Sequence, residues 1–188
     1  MVVTTGTVFS DYELYEMNLK FSTTAYAVNC VGSVEEEMEN KVITKSCRGE
    51  VVKKVVKGTG NGTLKITAHV PYEVYTKAYG MELTTLIDGV SAYGKNSKHE
   101  TFCLTMHIKD EDGNLKLKAY PNCVMSTGTV RKIENGAEEV AEMELEVSVM
   151  PDTEGNGVYE ALEASLTGTA QTTWMESFTP TLVKKTQA

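Results

Sequence analysis

The sequence predicts a mainly β protein, and two observations support this. Apolar and polar side chains alternate strictly over several segments, which is the pattern of half-buried strands. Clusters of Gly, Asn, Asp and Pro separate these segments, as turns do. With 188 residues and a hydrophobic fraction of 41%, the chain fits one globular domain over residues 1–188, long enough to bury a substantial core.

In the strongest strand candidates every second residue is apolar, so that one face is suited to a core. They are TLKITAHV (63–70), TFCLTMHI (101–108) and EMELEVSV (142–149). Further predicted strands are YAVNCV (26–31), EVVKKVVK (50–57), LKLKAY (115–120) and CVMSTGTV (123–130). The predicted turns are KGTGNG (57–62), DEDGN (110–114), YPN (120–122) and ENGA (134–137).

One α-helix is predicted within VPYEVYTKAYGM (70–81), because Pro71 suits a first helical position and Gly80 suits a stop. A second, shorter helical piece is predicted at 171–178. VYEALEASL (158–166) fits the periods of both helix and strand, so its structure stays open. The termini, about 1–10 and 179–188, are predicted to be arms outside the core.

The run from Asp110 to Asn114 raises the question of a calcium site, because oxygen ligands cluster before a glycine. An EF-hand loop needs glycine at its sixth position and a bidentate glutamate at its twelfth. Counted from Asp110, glycine comes at the fourth position and Pro121 at the twelfth. Asp-Gly between two alternating segments is a strong hairpin signal. The sequence therefore predicts a β-hairpin here.

Motifs for catalysis or cofactor binding are missing from the sequence, including the P-loop, G-x-S-x-G, H-E-x-x-H and G-x-G-x-x-G. His69, His99 and His107 have no spacing that gathers them, so we expect structural or surface histidines. A nucleophilic pair of Cys103 with His107 would share one strand face, but no third orienting group follows. We therefore expect no catalytic, cofactor-binding or metal site, and no enzyme.

The four cysteines have no close C-x-x-C spacing. The N-terminus lacks the pattern of a signal peptide, and no apolar run approaches the roughly 20 residues that span a bilayer. We therefore expect a soluble protein made in a cytoplasm, without a membrane partner. In that reducing compartment the thiols are expected to be free and mostly buried.

The formal net charge of −8 argues against a protein that grips nucleic-acid phosphates. Residues 134–163 hold ten acidic side chains and no Lys or Arg. Within them Glu142, Glu144 and Glu146 project from one strand face, because residues two apart share a face. Such an acidic segment indicates a solvated face, a surface for a basic partner, or a surface that repels polyanions.

Read from end to end, the chain resembles the major tail protein, or tail tube protein, of long-tailed, non-contractile bacteriophages. The resemblance lies in the order of four segments within a chain of this length, and none of them is a sharp signature. The segments are VGSVEEEMENKVITKSCRGEVVKKVVKGTGNGTLKITAHVPYEVYTKAYGM (31–81), IKDEDGNLKLKAYPNCVMSTG (108–128), AEMELEVSVMPDTEGNGVYEA (141–161) and WMESFTPTLV (174–183).

This resemblance implies a β-sandwich or barrel-like core of antiparallel strands with a flanking helix. It also implies subunits that form hexameric rings, whose sheets join around a channel and whose rings stack into the tail tube. Genomic DNA passes through such a tube without specific binding. The implied partners are other copies of the chain, the tape measure, the tail terminator and the distal tail protein. The implied location is the virion tail, assembled in the host cytoplasm.

Two site hypotheses follow from the resemblance. The acidic stripe of Glu142, Glu144 and Glu146 is expected to face the channel, since an acidic lining repels phosphates. Residues 34–62 carry charges of both signs and are expected to form an extended loop or hairpin that meets the next ring. A merely solvated hairpin is the alternative. The expected ring-stacking contacts are Glu35, Glu36, Glu37, Lys53 and Lys54.

A β-sandwich module for carbohydrate binding or adhesion is the competing hypothesis. Such a module more often displays aromatic side chains on which sugars stack. The chain has a single tryptophan, Trp174, in a segment whose structure is ambiguous, and aromatic residues make up only 7% of the sequence.

Overall fold

The computed structural model describes residues 8–136 and 138–185. The protein is mainly β, as predicted, and eight antiparallel strands form one sheet. The strands are β1 Glu13–Phe21, β2 Thr24–Ala27, β3 Cys30–Cys47, β4 Glu50–His69, β5 Phe102–Lys109, β6 Leu115–Met125, β7 Met143–Val149 and β8 Tyr159–Leu162. The strand order is β2-β1-β5-β6-β7-β4-β3, and β8 pairs with β6 beside this path. Two α-helices, α1 Tyr72–Ala78 and α2 Thr169–Ser177, complete the fold.

The sheet curls on itself around one apolar core. β1 and β3 lie far apart in strand order, yet they contact each other. The core contains Met17 of β1, Leu64 of β4, Leu104 of β5 and Val147 of β7, all of them buried together with one face of α1. Burying one such side chain stabilises the fold by about 1.5–3 kcal/mol. The expected barrel-like core with a flanking helix is thus confirmed.

Helix α1 follows β4 where the sequence predicts a helix. Pro71 occupies the N-cap position, and Val74, Tyr75 and Ala78 pack into the core. The chain then turns at Gly80, whose φ of 60° is left-handed. A Cβ at this position would overlap the Lys98 carbonyl oxygen, so both conformation and space require glycine.

Helix α2 covers the outer face of β6, and the ambiguous segment before it contains both predicted structures. Residues 158–166 form β8 and then a short 3₁₀ helix, Glu163–Ser165. Trp174 and Phe178 pack on Leu117 and Ala119 in a second apolar cluster.

The terminal arms are shorter than predicted wherever they are described. Leu182 and Val183 of the C-terminal segment pack against the second apolar cluster, because a 3₁₀ helix, Pro180–Val183, turns them onto it. Most of the predicted N-terminal arm, residues 1–7, lies outside the described residues.

Two predicted turns are strands instead. KGTGNG at 57–62 continues inside β4, and YPN at 120–122 continues inside β6. Pro121 is tolerated because it lies in a bulge of β6, where Pro121 and Asn122 lie opposite the single residue Cys103 of β5. Because local turn chemistry was present at both places, only the neighbouring strands explain the extended backbone.

Strand β1 was not predicted, although it lies between β2 and β5 in the sheet. Its segment ELYEMNLKF contains the expected alternation at Met17, Leu19 and Phe21, which are all buried. The two tyrosine and glutamate pairs at its start obscured this pattern. The alternation of apolar residues that predicts a strand was present in β1, but it extended over few residues.

The DEDGN segment forms the tight turn of the β5–β6 hairpin, as predicted. The Asp110 carboxylate accepts hydrogen bonds from the backbone nitrogens of Asp112 and Asn114 (3.0 and 2.7 Å) and from the Asn114 side chain (2.6 Å). The turn DTEGN between β7 and β8 repeats this arrangement around Asp152. Both carboxylates therefore serve as internal caps for their turns.

The Asp110 cap predicts a pH dependence of stability. Burial acts to raise the pKa of Asp110, but hydrogen bonds from Asn114 and Asp112 outweigh it and hold the pKa below the ordinary value of 3.8. This contribution to stability is fully present above 3.8 and is lost as the pH falls through the lower folded pKa. We expect Asp110→Asn to cost more stability at neutral pH than at about pH 3, measured by urea unfolding.

Asp112→Asn is the matched control, because the side chain of Asp112 caps nothing in the same turn. It is expected to leave the difference between the two pH values as in the wild type. An equal loss for Asp110→Asn at both pH values would contradict the proposed role of its carboxylate.

Candidate self-assembly surfaces

The longest hairpin of the protein extends well past the core. β3 and β4 stay paired up to Cys47 and Glu50, and the two residues between them, Arg48 and Gly49, have φ values of 52° and 87°. Left-handed backbone at both positions is typical of a type I′ turn. We call residues 40–58 the arm. Eight residues of extended strand make it roughly 25 Å long.

The arm exposes apolar side chains that no other part of the described chain covers. Its exposed large hydrophobic residues are Val42, Ile43, Val51, Val52 and Val56. None of its residues belongs to either apolar core cluster. Contiguous exposed apolar surface on a soluble protein marks an interaction site or an aggregation hazard.

Lysines on the arm face each other directly. Lys41 is the cross-strand partner of Lys57, and Lys45 is the partner of Lys53. Directly opposed like charges destabilise a strand pair. Among the residues that the structure describes, no cationic side chain of the arm has an ion-pair partner within 4.0 Å. The arm is therefore a cationic surface without an anionic partner in the described part of its own chain.

Glycines determine where the arm leaves the body. Gly60 has a φ of 80°, and a Cβ on Gly157 would overlap the Gly60 carbonyl oxygen. The loop after β7 can therefore approach the backbone of β4 only because both residues are glycine. This contact explains why the glycine-rich segment 57–62 forms part of a strand at the base of the arm.

The five expected stacking residues do not form one group. Glu35 and Glu37 lie opposite Lys65 and Thr63 on the outer face of the body. Lys53 and Lys54 lie near the arm tip, and adjacent positions on a strand point to opposite faces. The pleat of the strands and the length of the hairpin therefore separate these five residues, although they are close in the sequence.

Glu36 points inward and forms an ion pair with Lys118 on β6. Lys118 is buried and also contacts Glu160 at 3.0 Å. Burial acts to lower the pKa of Lys118, but the hydrogen bonds that its ammonium donates to the carboxylates of Glu36 and Glu160 hold the pKa above its ordinary value. This network fastens β3 to β6 and β8. Sequence reasoning missed it, because the pattern of LKLKAY predicts a strand without showing which of its two faces is buried.

Two of the three residues of the acidic stripe lie on one exposed face. Glu144 opposes Thr67, and Glu146 opposes Lys65. Leu145 and Val147, between and beyond them, are buried in the core. Glu35 and Glu37 extend the same face across the sheet, since Glu35 also opposes Lys65. We call Glu35, Glu37, Glu144 and Glu146 the acidic face.

Glu142 lies just before β7 and outside this ladder. Its carboxylate sits against Gly32, where a Cβ would overlap it. The alternation in the sequence begins at Glu142, but β7 begins only at Met143. Glu142 therefore flanks the acidic face and is not part of it.

The sheet has free edges that can accept further strands. β3 is a terminal strand of the sheet and pairs only with β4 among the described residues. β2 ends the sheet on the other side and pairs only with residues 18–21 of β1. An 18-residue free edge is a template for pairing with another chain.

The histidines lie apart, and each has its own surroundings. His99 donates from Nδ1 to the Met125 carbonyl oxygen (2.8 Å), and His107 pairs with Glu163 (3.2 Å). No group of three or more potential metal ligands occurs in the described part of the chain. Burial raises the pKa of the Cys103 thiol to about 12, so this thiol is protonated and not a nucleophile at neutral pH.

All four cysteines are free, as predicted, but the expectation that most are buried was wrong. Cys30 and Cys47 are exposed, Cys103 is partly buried and Cys123 is buried. The two exposed residues sit at the two ends of β3. An edge strand in a projecting hairpin has no core to cover them.

Trp174 bears on the carbohydrate-binding alternative. It is only 1% exposed, and its Nε1 donates to the Lys118 carbonyl oxygen at 3.2 Å. A side chain so enclosed offers no stacking surface for a sugar. No helix in the described residues is long and apolar enough to cross a membrane.

No protein-family model and no curated protein matches the chain. Similar solved structures are components of contractile injection systems. The cap of the anti-feeding prophage aligns at 10% identity and a TM-score of 0.46, over 86% of this chain and 99% of that one. A chain of the anti-feeding prophage baseplate aligns at 11% identity and a TM-score of 0.46, over 87% of this chain and 100% of that one. A chain of the sheath–tube complex of an extracellular contractile injection system (PVC) aligns at 11% identity and a TM-score of 0.47, over 80% of this chain and 90% of that one. Likenesses at this level do not assign a family.

Proposed function

We propose that the chain is a structural subunit that forms hexameric rings, and that these rings stack into the tube of a long, non-contractile phage tail. The observation that carries the proposal is the arm. A ribbon of 19 residues with exposed apolar side chains and unpaired lysines has no role in its own core. Its surface is explained by contacts with another molecule.

Ring formation is supported by the free edges of the sheet. β3 ends the sheet at one side and β2 at the other. Head-to-tail pairing of such different edges is a heterologous contact, which generates a ring when the rotation closes. Pairing in a ring would also remove edges that otherwise favour aggregation.

The channel is proposed to be lined by the acidic face together with Glu142. The four carboxylates alternate with buried core residues and surround the single cation Lys65, so this face of the sheet has a net negative charge. Such a surface repels DNA phosphates and avoids the counterion release that drives binding to basic grooves. DNA would then move through the tube without being held.

The role is proposed to be non-catalytic and to need no cofactor. The further partners are those of the family the sequence resembles, namely the tape measure, the tail terminator and the distal tail protein. The proposed location is the virion tail.

Electron microscopy of the purified protein over a range of concentrations tests the proposal. We expect six-fold rings and, at high concentration, stacked tubes with an open channel. A protein that stays monomeric at every concentration would overturn the proposal.

A further inference from the structure

We infer that the arm of one copy docks on the loop between β6 and β7 of a second copy. The docking segment of this loop is residues 133–136 and 138–141, here called the acidic loop. The inference rests on the proposed tube, for which it specifies the ring-to-ring contact. It follows from topology, charge and exposed apolar surface.

The arm and the acidic loop lie at opposite ends of the body. In the β4–β7 ladder Gly62 opposes Val149, and Ala68 opposes Met143. The arm extends from the Gly62 end, whereas the acidic loop precedes Met143 at the other end. An arm that points away cannot reach the loop of its own chain. Contacts between opposite ends of identical copies propagate without closing, which is what a stack requires.

The charges of the two elements are opposite. The arm carries six cationic side chains and one anionic side chain, Glu50, for a net charge of +5. Since the whole chain has −8, the remainder carries −13. The acidic loop contains three glutamates and no Lys or Arg. The three glutamates are Glu134, Glu138 and Glu139.

Ion pairs within the described chain leave most carboxylates of the acidic loop free to contact another copy. Glu134 pairs with Lys132 at 2.7 Å, whereas Glu138 and Glu139 are exposed and have no ion pair among the described residues. The opposed lysine pairs of the arm repel each other as long as no anion lies between them. A carboxylate from the loop would relieve that repulsion.

Apolar side chains accompany the charges on both elements. Ile133 is 92% exposed and Val140 is 76% exposed on the acidic loop. Ile43 and Val55 are cross-strand partners on the arm, and they lie between the two opposed lysine pairs. An apolar centre with a charged rim is the usual anatomy of a protein interface. The arm and the acidic loop therefore have opposite charges, and both expose apolar side chains.

Crosslinking within assembled tubes tests the inference. Cys47 at the arm tip is a native probe, and Cys30→Ser removes the other exposed thiol. In that background Ile133→Cys is expected to give a ladder of crosslinked oligomers with a short bis-maleimide. Replacing Cys47 by serine should abolish the ladder. Glu111→Cys, an exposed position in the β5–β6 turn at the arm end, is the matched control and should give none.

Charge reversal supplies an independent readout. Changing Lys41, Lys45, Lys53 and Lys57 to Glu should raise the concentration needed for tube formation by about tenfold or more. Adding Glu134→Lys, Glu138→Lys and Glu139→Lys should restore most of the loss. Circular dichroism of each variant establishes that the body is folded.

The outcomes separate this inference from the proposed function. One outcome is that tubes form while Cys47 crosslinks only to an Ile87→Cys probe, which lies between α1 and β5 at the same end of the body as the acidic loop. That result would overturn the inference and leave the proposed tube standing. Tubes in which Cys47 crosslinks to neither probe would do the same. Failure of the double charge reversal to restore assembly would also overturn it. A wild-type protein that never forms tubes would overturn the proposed function itself.

Discussion

Replacement of the arm by an Asn-Gly turn between Glu39 and Thr59 is expected to abolish tube assembly and leave the body folded. The junction is suitable because the Thr59 hydroxyl donates to the Glu39 carbonyl oxygen at 3.4 Å, so the two residues are already adjacent. The arm contributes no residue to either core cluster. The free energy of unfolding should therefore change by no more than about 1 kcal/mol.

Negative-stain microscopy at concentrations where the wild type forms tubes measures this effect, and urea unfolding measures stability. The control is Arg48→Asn, which keeps Gly49 and preserves a type I′ turn at the tip of a full-length arm. It should assemble normally. Tubes of wild-type length from the arm-deleted chain would show that stacking uses another surface.

Conversion of Glu142, Glu144 and Glu146 to lysine is expected to turn an inert channel into one that binds DNA. Three substitutions change the charge by +6 per subunit on surface that the proposal places in the channel. Wild-type tubes should not retain DNA. Tubes of the variant should retain it at low salt and release it steeply as salt rises, because bound phosphates release counterions. In an infectious particle the same change should hinder DNA ejection.

The matched control reverses Asp88, Glu111 and Glu176, which are exposed and lie away from the acidic face. None of these three forms an ion pair among the described residues. The control has the same net charge as the variant, and we expect it to retain no DNA inside the tube. Equal retention by both variants, or unchanged ejection with assembled tubes, would count against an acidic lining.

Local chemistry accounts for much of the fold. Alternation located the body half of β4 as well as β5 and β7, because a half-buried strand must place every second residue in the core. Asp112 and Gly113 located a hairpin, because few residues tolerate left-handed backbone. Pro71 and Gly80 bracketed α1 for similar reasons. Each of these signals acts over a few residues, so sequence alone is sufficient.

The candidate surfaces were only partly accessible to the same reasoning. The charge-rich segment 34–62 is indeed a hairpin, but Glu36 turns inward to Lys118 while Glu35 and Glu37 face outward. Which face of a strand is buried depends on the strand beside it. In LKLKAY, α2 covers Leu117 from outside the sheet, whereas Lys118 beside it lies within.

Sequence alone therefore accounts for the class of the protein, the turn of the β5–β6 hairpin, the helices and the concentration of acidic charge between 134 and 163. Long-range packing set the rest. The loop at Gly157 packs against Gly60 at the base of the arm, where β4 continues through the glycine-rich segment. The β4–β7 register places the basic arm and the acidic loop at opposite ends. Both depend on contacts between residues roughly 75 to 100 positions apart in the chain, which neither periodicity nor local propensity encodes.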